Sequence, residues 1–184
     1  MSLETYARER TQFRAKVMTH KKDRTVHLGD HVTLLFEDEL TIRYQVQEML
    51  RIERIFEEEG IREELDAYNP LVPNGRNLKA TLMVEYADPE ERRKQLKELI
   101  GIEDKAWVRV DGHERVWAIA DEDLDRENEE KTSSVHFLRF DLSEGMAESL
   151  KNGASLAIGI DHPHYSATVE ASPAVRDSLV KDLA

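Results

Sequence analysis

Residues 106–120 read AWVRVDGHERVWAIA, two runs of β-favouring residues on either side of the polar turn Asp111-Gly112-His113-Glu114. Val, Ile and Trp fit a pleated, half-buried surface, and Asp-Gly supplies the positive φ values that a tight reversal needs. The stretch predicts a β-hairpin, and a hairpin makes the sheet that contains it antiparallel at that point. Working outward, Leu78, Ala80, Leu82, Val84 and Tyr86 alternate with Lys79, Thr81, Met83 and Glu85, the two-residue period of a strand with distinct faces. Residues 31–36, 135–140, 155–160 and 165–170 add further short runs of strand composition.

Between these strands the period changes to three and four. Leu3, Tyr6, Phe13 and Val17 predict an amphipathic helix over 3–19 whose arginines and lysines face water. Ile42, Val46, Met49, Ile52 and Phe56 predict one long helix over 41–58, with a shorter one over 61–68 stopped by Asn69-Pro70 and Pro73-Asn74-Gly75. Asp88-Pro89-Glu90-Glu91 carries an N-cap and a proline at the first helical position, and Gly101 closes that helix. Ser143 opens a short helix ending at Asn152-Gly153, and a last one follows Pro173. Together these elements predict an α+β fold, a largely antiparallel sheet of about six or seven strands with amphipathic helices packed against it. Residues 1–184 are expected to form one globular domain with an N-terminal amphipathic helix. A doubly wound parallel sheet would need regular strand–helix alternation and a glycine-rich first turn, and the chain has neither.

The 184 residues include 26 Lys plus Arg against 38 Asp plus Glu, a net charge of −12, and no cysteine. Disulfides, thiolate metal sites and a thiol nucleophile are therefore excluded. So acidic a chain repels the nucleic-acid backbone, which argues against polynucleotide partners. No run approaches the ~20 apolar residues of a membrane helix and the N-terminus is charged, so the expectation is a cytoplasmic protein without membrane contact. Charge is uneven: residues 8–24 carry seven basic residues, and residues 121–130 carry seven carboxylates against Arg126. The alternating Asp121, Asp123 and Asp125 resemble a calcium loop, but Arg126 stands where glycine is required and Thr132 where the bidentate glutamate belongs, so the run is expected to be a solvated acidic loop.

On a helical wheel Arg43, Gln47, Arg51 and Arg54 share about a quarter of the circumference, a stripe of forked donors suited to phosphate, carboxylate or an acidic surface. Salt bridging to Glu39 and Glu58 is the structural alternative. Glu53 falls on the apolar side among Ile42, Val46 and Met49, where an unpaired carboxylate would cost several kcal/mol, so a partner is expected, with Arg76 in the turn before the strand as the natural one. Asp161-His162-Pro163-His164 places two imidazoles after a strand, and His136 could complete a divalent zinc, iron or manganese site. No dinucleotide, phosphate-loop, HExxH or serine-elbow motif is present.

The segments RYQVQEMLRIERIFEEEGIREELDAYNPL, GRNLKATLMVEY, IADEDL and VHFLRFDL resemble a bacterial domain-of-unknown-function family, DUF3501, over nearly the whole chain. The stretch densest in this resemblance contains Arg43, Tyr44, Gln47, Arg51, Glu53 and Arg76. The family is similar in context to accessory proteins found beside rubrerythrin-like and iron–sulfur proteins, which implies a redox association and assigns no catalytic residue. Three functional expectations follow. The first is a non-enzymatic binding or accessory module that holds an anionic ligand or a redox partner on the arginine stripe and the turn running from Asn69 to Asn77. The second is a metal-dependent enzyme with a divalent metal on His136, His162 and His164. The third is a structural protein that forms homo-oligomers through its amphipathic helices.

Overall fold

A computed structural model describes residues 1–120 and 131–184; the expected acidic loop at 121–130 lies outside the described residues. The chain opens with α1 (Leu3–Lys22), capped by the Ser2 hydroxyl on the Thr5 N–H. Strand β1 (Thr25–Leu28) turns through Gly29 into β2 (Val32–Glu37). Helices α2 (Glu39–Ile52) and α3 (Glu58–Tyr68) follow, and a single 3-10 turn leads toward β3 (Asn77–Val84). Next come α4 (Pro89–Glu98), β4 (Ala106–Val110), β5 (Val116–Trp117) and β6 (Val135–Asp141). The chain ends with α5 (Glu144–Lys151), β7 (Leu156–His162), β8 (Tyr165–Glu170) and α6 (Pro173–Val180).

The fold is α+β, with the strands in two four-stranded antiparallel sheets ordered β1-β2-β3-β6 and β5-β4-β7-β8. The hairpin read from residues 106–120 is present as β4 and β5, with Trp107 opposite Trp117 and Val108 opposite Val116. Strand β1 was not foreseen; it pairs with β2 from Thr25 opposite Leu35 to Leu28 opposite Val32. The facing sides of the sheets make the main core, in which Leu34, Phe36, Leu78, Leu82 and Phe140 of one sheet and Val108, Val110, Leu156 and Ile158 of the other are buried. Each such side chain contributes about 1.5–3 kcal/mol by leaving water.

Both seams between the sheets are closed. On one side Ile119 and Arg139 exchange two backbone hydrogen bonds of 2.8 Å. On the other the Tyr165 hydroxyl donates to the Leu28 carbonyl and accepts from the His31 N–H at 3.2 Å. Gly29 sits beneath that hydroxyl at φ +70°, where a β-carbon would lie 2.6 Å from the tyrosine oxygen, so both the turn and the contact require glycine.

All six residues of β2 are buried, because one face meets the core and the other lies under the helices. There Glu37 receives hydroxyl hydrogen bonds from Thr41 (2.5 Å) and Thr81 (2.8 Å). Helices α1, α2 and α3 form a layer with its own small core of Ile42, Val46, Leu50 and Leu71, against which Leu3, Ile55 and Ile61 pack.

The long helix expected over 41–58 is two helices, and the break falls after Ile52. Arg54 adopts φ 53°, a left-handed conformation without glycine, while the Ile55 N–H bonds the Leu50 carbonyl at 2.9 Å. This is a Schellman end, in which Ile55 folds back toward the last helical turn and joins the small core. The buried line runs Ile42, Val46, Leu50 and then Ile55, and not through Ile52 and Phe56, which are 61% and 70% exposed. A left-handed non-glycine residue costs about 1–2 kcal/mol, part of which glycine returns as chain entropy. Arg54→Gly is therefore expected to raise unfolding free energy by about 0.5–1 kcal/mol in urea titrations, and a loss of stability would contradict this account of the break.

Candidate functional site

The helical layer is organised around two buried ionic centres. In the first, Tyr6 and Arg10 lie one turn apart on α1, and α2 presents Glu48 to them. The Tyr6 hydroxyl donates to Glu48 Oε1 at 2.6 Å, and Arg10 Nε donates to the same oxygen at 2.8 Å. Arg51, three residues along α2, donates to Oε2 through Nε (3.0 Å) and Nη2 (2.9 Å). Burial alone would raise the Glu48 carboxyl. The donors on Arg10, Tyr6 and Arg51 outweigh it and hold the group at about 2. Burial, reinforced by the Glu48 hydrogen bond, pushes the Tyr6 hydroxyl well above its ordinary value, so it remains a donor.

The second centre is Arg24, which the sequence shows only as the last of the seven basic residues over 8–24 and which is 1% exposed. Its Nε donates to the Phe36 carbonyl at 2.7 Å and its Nη2 to the Glu37 carbonyl at 3.2 Å. Nη1 reaches the Ser178 carbonyl and hydroxyl, both at 3.3 Å, and Nη2 meets Asp182 at 2.5 Å. Asp38 lies 3.6 Å away; it caps α2 through the Thr41 N–H and takes a 2.6 Å hydrogen bond from His20. Burial works to raise the Asp38 carboxyl, but Arg24, the Thr41 N–H and His20 keep it below the usual range. At Asp182 burial prevails over Arg24 and the carboxyl is pushed up. Above this centre opens a cleft of about 400 Å³, bounded in part by Asp38, Glu39, Arg43, Pro73, Lys181 and Asp182.

The residues proposed from sequence are dispersed over this layer. Arg43 pairs with Glu39, and Arg51 pairs with Glu48. Gln47 is buried, its amide donating to the Met1 carbonyl at 3.1 Å while Oε1 has no partner among the described residues. Tyr44 is buried beside Phe13, with the Lys21 ammonium 5.3 Å from its ring centre. Asn69 begins the 3-10 turn, and Asn77 is buried at the start of β3, accepting from the Asn74 N–H. Glu53 is not turned inward. It caps the C-terminus of α2 in solvent, Arg76 is exposed elsewhere, and no ion pair joins them. The inward carboxylate of α2 is Glu48, because α2 is buried on two sides, one against the small core and the other against α1.

The three histidines are also committed elsewhere. His162 Nδ1 accepts the His164 N–H at 3.1 Å, so Nε2 carries the proton and donates to the Ile100 carbonyl at 2.8 Å, leaving no lone pair for a metal. His136 is buried in the other sheet beside Thr132 and the Ser133 carbonyl. Among the described residues no three His, Asp or Glu side chains are grouped to hold a metal ion.

The helical layer also leaves apolar side chains exposed. Phe56 (70%), Ile52 (61%) and Leu65 (38%) are the large exposed hydrophobic residues of the corner between α2 and α3. Leu65 lies one turn beyond Ile61, on the side of α3 that packs into the small core. Leaving Phe56 in water forgoes about 1.5–3 kcal/mol. Exposed apolar side chains mark interaction surfaces where they gather into one patch.

The Glu48 centre makes a prediction about acid stability. Its carboxyl titrates at about 2 when folded, against the ordinary 4.5. A depressed folded value gives stabilisation that is complete above pH ~4.5 and lost as the pH falls toward ~2, on the order of 2–3 kcal/mol. Glu48→Gln should lower stability by about 2 kcal/mol at neutral pH, and the difference from the unaltered protein should close by pH ~2 in denaturant titrations. A difference that did not change with pH would contradict the assignment.

No helix among the described residues is long and apolar enough to cross a membrane. No curated protein matches the chain. It is similar to a solved crystal structure described as a novel protein of unknown function from Burkholderia pseudomallei K96243, with 56% identity, 100% of this chain and 96% of that chain covered, and a TM-score of 0.94. The family model described as Protein of unknown function (DUF3501) matches residues 1–183, and the chain belongs to that family.

Proposed function

We propose that the protein is a non-enzymatic binding and accessory module that docks a protein partner on the corner between α2 and α3. The observation that carries this reading is the exposure of Phe56, Ile52 and Leu65 beside a layer in which Arg10, Arg24, Arg43 and Arg51 are each paired with a carboxylate. Arg43 and Arg51 are held by carboxylates of their own helix, which weakens them as a grip for a free anion and favours the partner over the small anionic ligand. Aromatic and aliphatic anchors inside a charged rim are the usual carriers of binding energy between proteins. On the resemblance in genomic context, the partner belongs to an iron–sulfur or rubrerythrin-type redox system, with this chain supplying a platform and no redox group.

Because Phe56 is exposed, Phe56→Ala should change folding stability by no more than about 0.5 kcal/mol, so that loss of binding can be read separately from loss of fold. A photo-crosslinking residue at position 56, expressed in native cells, is expected to give one discrete adduct that disappears with Leu65→Glu; the same probe at Trp117, exposed on the other sheet, should not give it. Absence of an adduct at 56, or the same adducts from both positions, would contradict the reading.

A further inference from the structure

Away from the helical layer, the outer side of the β5-β4-β7-β8 sheet brings aromatic rings and cations together. Trp107 of β4 lies directly opposite Trp117 of β5, so both indoles stand on one face of the sheet. Two guanidinium groups converge on the first of them, Arg115 Cζ at 4.1 Å and Arg109 Cζ at 5.7 Å from the Trp107 ring centre. Arg115 also lies 5.9 Å from the Trp117 ring. Gly159 of β7 makes room for this, since a β-carbon there would stand 2.4 Å from the Trp107 ring. The Trp107 Nε1 is buried with no hydrogen-bond partner among the described residues, so packing and cation–π contact hold the ring. Trp117, by contrast, is 43% exposed.

The register that pairs the tryptophans, carried on past Val108 and Val116, sets Arg109 against Arg115. Like charges so placed repel, and the repulsion is only half relieved. Arg115 reaches Asp161 at 3.3 Å, whereas among the described residues no hydrogen bond or ion pair engages the exposed Arg109. Arg109 and Trp117 are diagonal neighbours, roughly 7–8 Å apart at Cβ. On the other side of Arg109 a groove of about 310 Å³ opens over Ala157, and there the charge turns negative with Asp111 and Glu170.

We infer that this face binds a small planar aromatic anion, its ring stacked on Trp117 and its one anionic group held by Arg109. The exposed indole supplies the stacking surface, and the unpaired guanidinium supplies a forked donor for a phosphate or carboxylate. Asp111 and Glu170 limit the ligand's charge, because a second or third phosphate reaching past Arg109 would meet them. A nucleic-acid strand is disfavoured further by the net charge of −12. A nucleoside monophosphate and an aromatic carboxylate share the chemistry that fits. The site is independent of the docking corner between α2 and α3.

The test uses the full chain, whose two tryptophans both stand on this face, so that their fluorescence reports the site. Adenosine monophosphate and benzoate are titrated by calorimetry and by tryptophan quenching excited at the red edge of the indole band. At least one is expected to bind and quench, and the tighter of the two tells a nucleotide source from an aromatic acid. Adenosine and benzamide, which lack the anion, inorganic phosphate, which lacks the ring, and adenosine triphosphate, which carries excess charge, should each bind at least about tenfold more weakly. Trp117→Ala and Arg109→Ala, both changes of exposed side chains, should each weaken binding about tenfold, and Phe56→Ala on the helical corner should leave it unchanged. Binding of neither probe, equal binding of inorganic phosphate, or an affinity that Trp117→Ala or Arg109→Ala leaves as it was would overturn the inference. A single-stranded oligonucleotide that binds more tightly than either probe would overturn it as well.

Discussion

A guanidinium buried to 1% exposure between a β-sheet and two helices is the constraint on which the rest of this arrangement depends. A buried guanidinium cannot be left unsatisfied, since the loss of one partner of a buried charge costs about 3–5 kcal/mol. Its five donors are distributed over the end of β2, the Ser178 carbonyl and hydroxyl of α6, and Asp182 beyond it. Asp38, which caps α2, completes the surround. A single side chain therefore joins the end of a core strand, the start of the helical layer and the C-terminal helix. Replacing it by an apolar residue would take a donor from three carbonyls and from the Asp182 carboxylate.

From that anchored start α2 runs to Ile52, with a second ionic centre at Glu48 locking it to α1. The helix is thus held near both ends, and the turn that terminates it leaves Phe56 outside the core. Ile55 takes the available place in the small core, and Phe56 and Ile52 are left outside. A surface whose supports are held in advance loses less entropy when a partner arrives. Structure and proposed function meet in that link.

Much of the fold can be read from neighbouring residues because neighbouring residues cause it. The Asp111-Gly112 reversal, the Asp88 and Ser143 caps and the alternation from Leu78 to Tyr86 each reflect forces acting over a few positions, and the corresponding elements lie where those signals put them. Strand β1 is only four residues long and directly follows a basic helix, so its signal is too short to separate from its surroundings. The end of α2 was misplaced because its left-handed residue is Arg54, whereas such turns are recognised by glycine. The candidate site was legible only in principle. An inward carboxylate on the clearest helix does exist and is neutralised by arginine, but it is Glu48 and not Glu53, and its Tyr6 partner lies 42 residues away. Arg24 and Asp182 are separated by 158 residues, and nothing local distinguishes that arginine from its solvated neighbours.

Amide hydrogen exchange on the intact chain and on Arg24→Lys tests the central claim most directly, because lysine keeps the charge but cannot reproduce the forked geometry. If Arg24 joins the three elements, exchange will accelerate together at the end of β2, in the first turn of α2 and along α6, while β4 and β7 stay protected. Acceleration confined to the residues around position 24, with α6 and the first turn of α2 as slow as before, would contradict it.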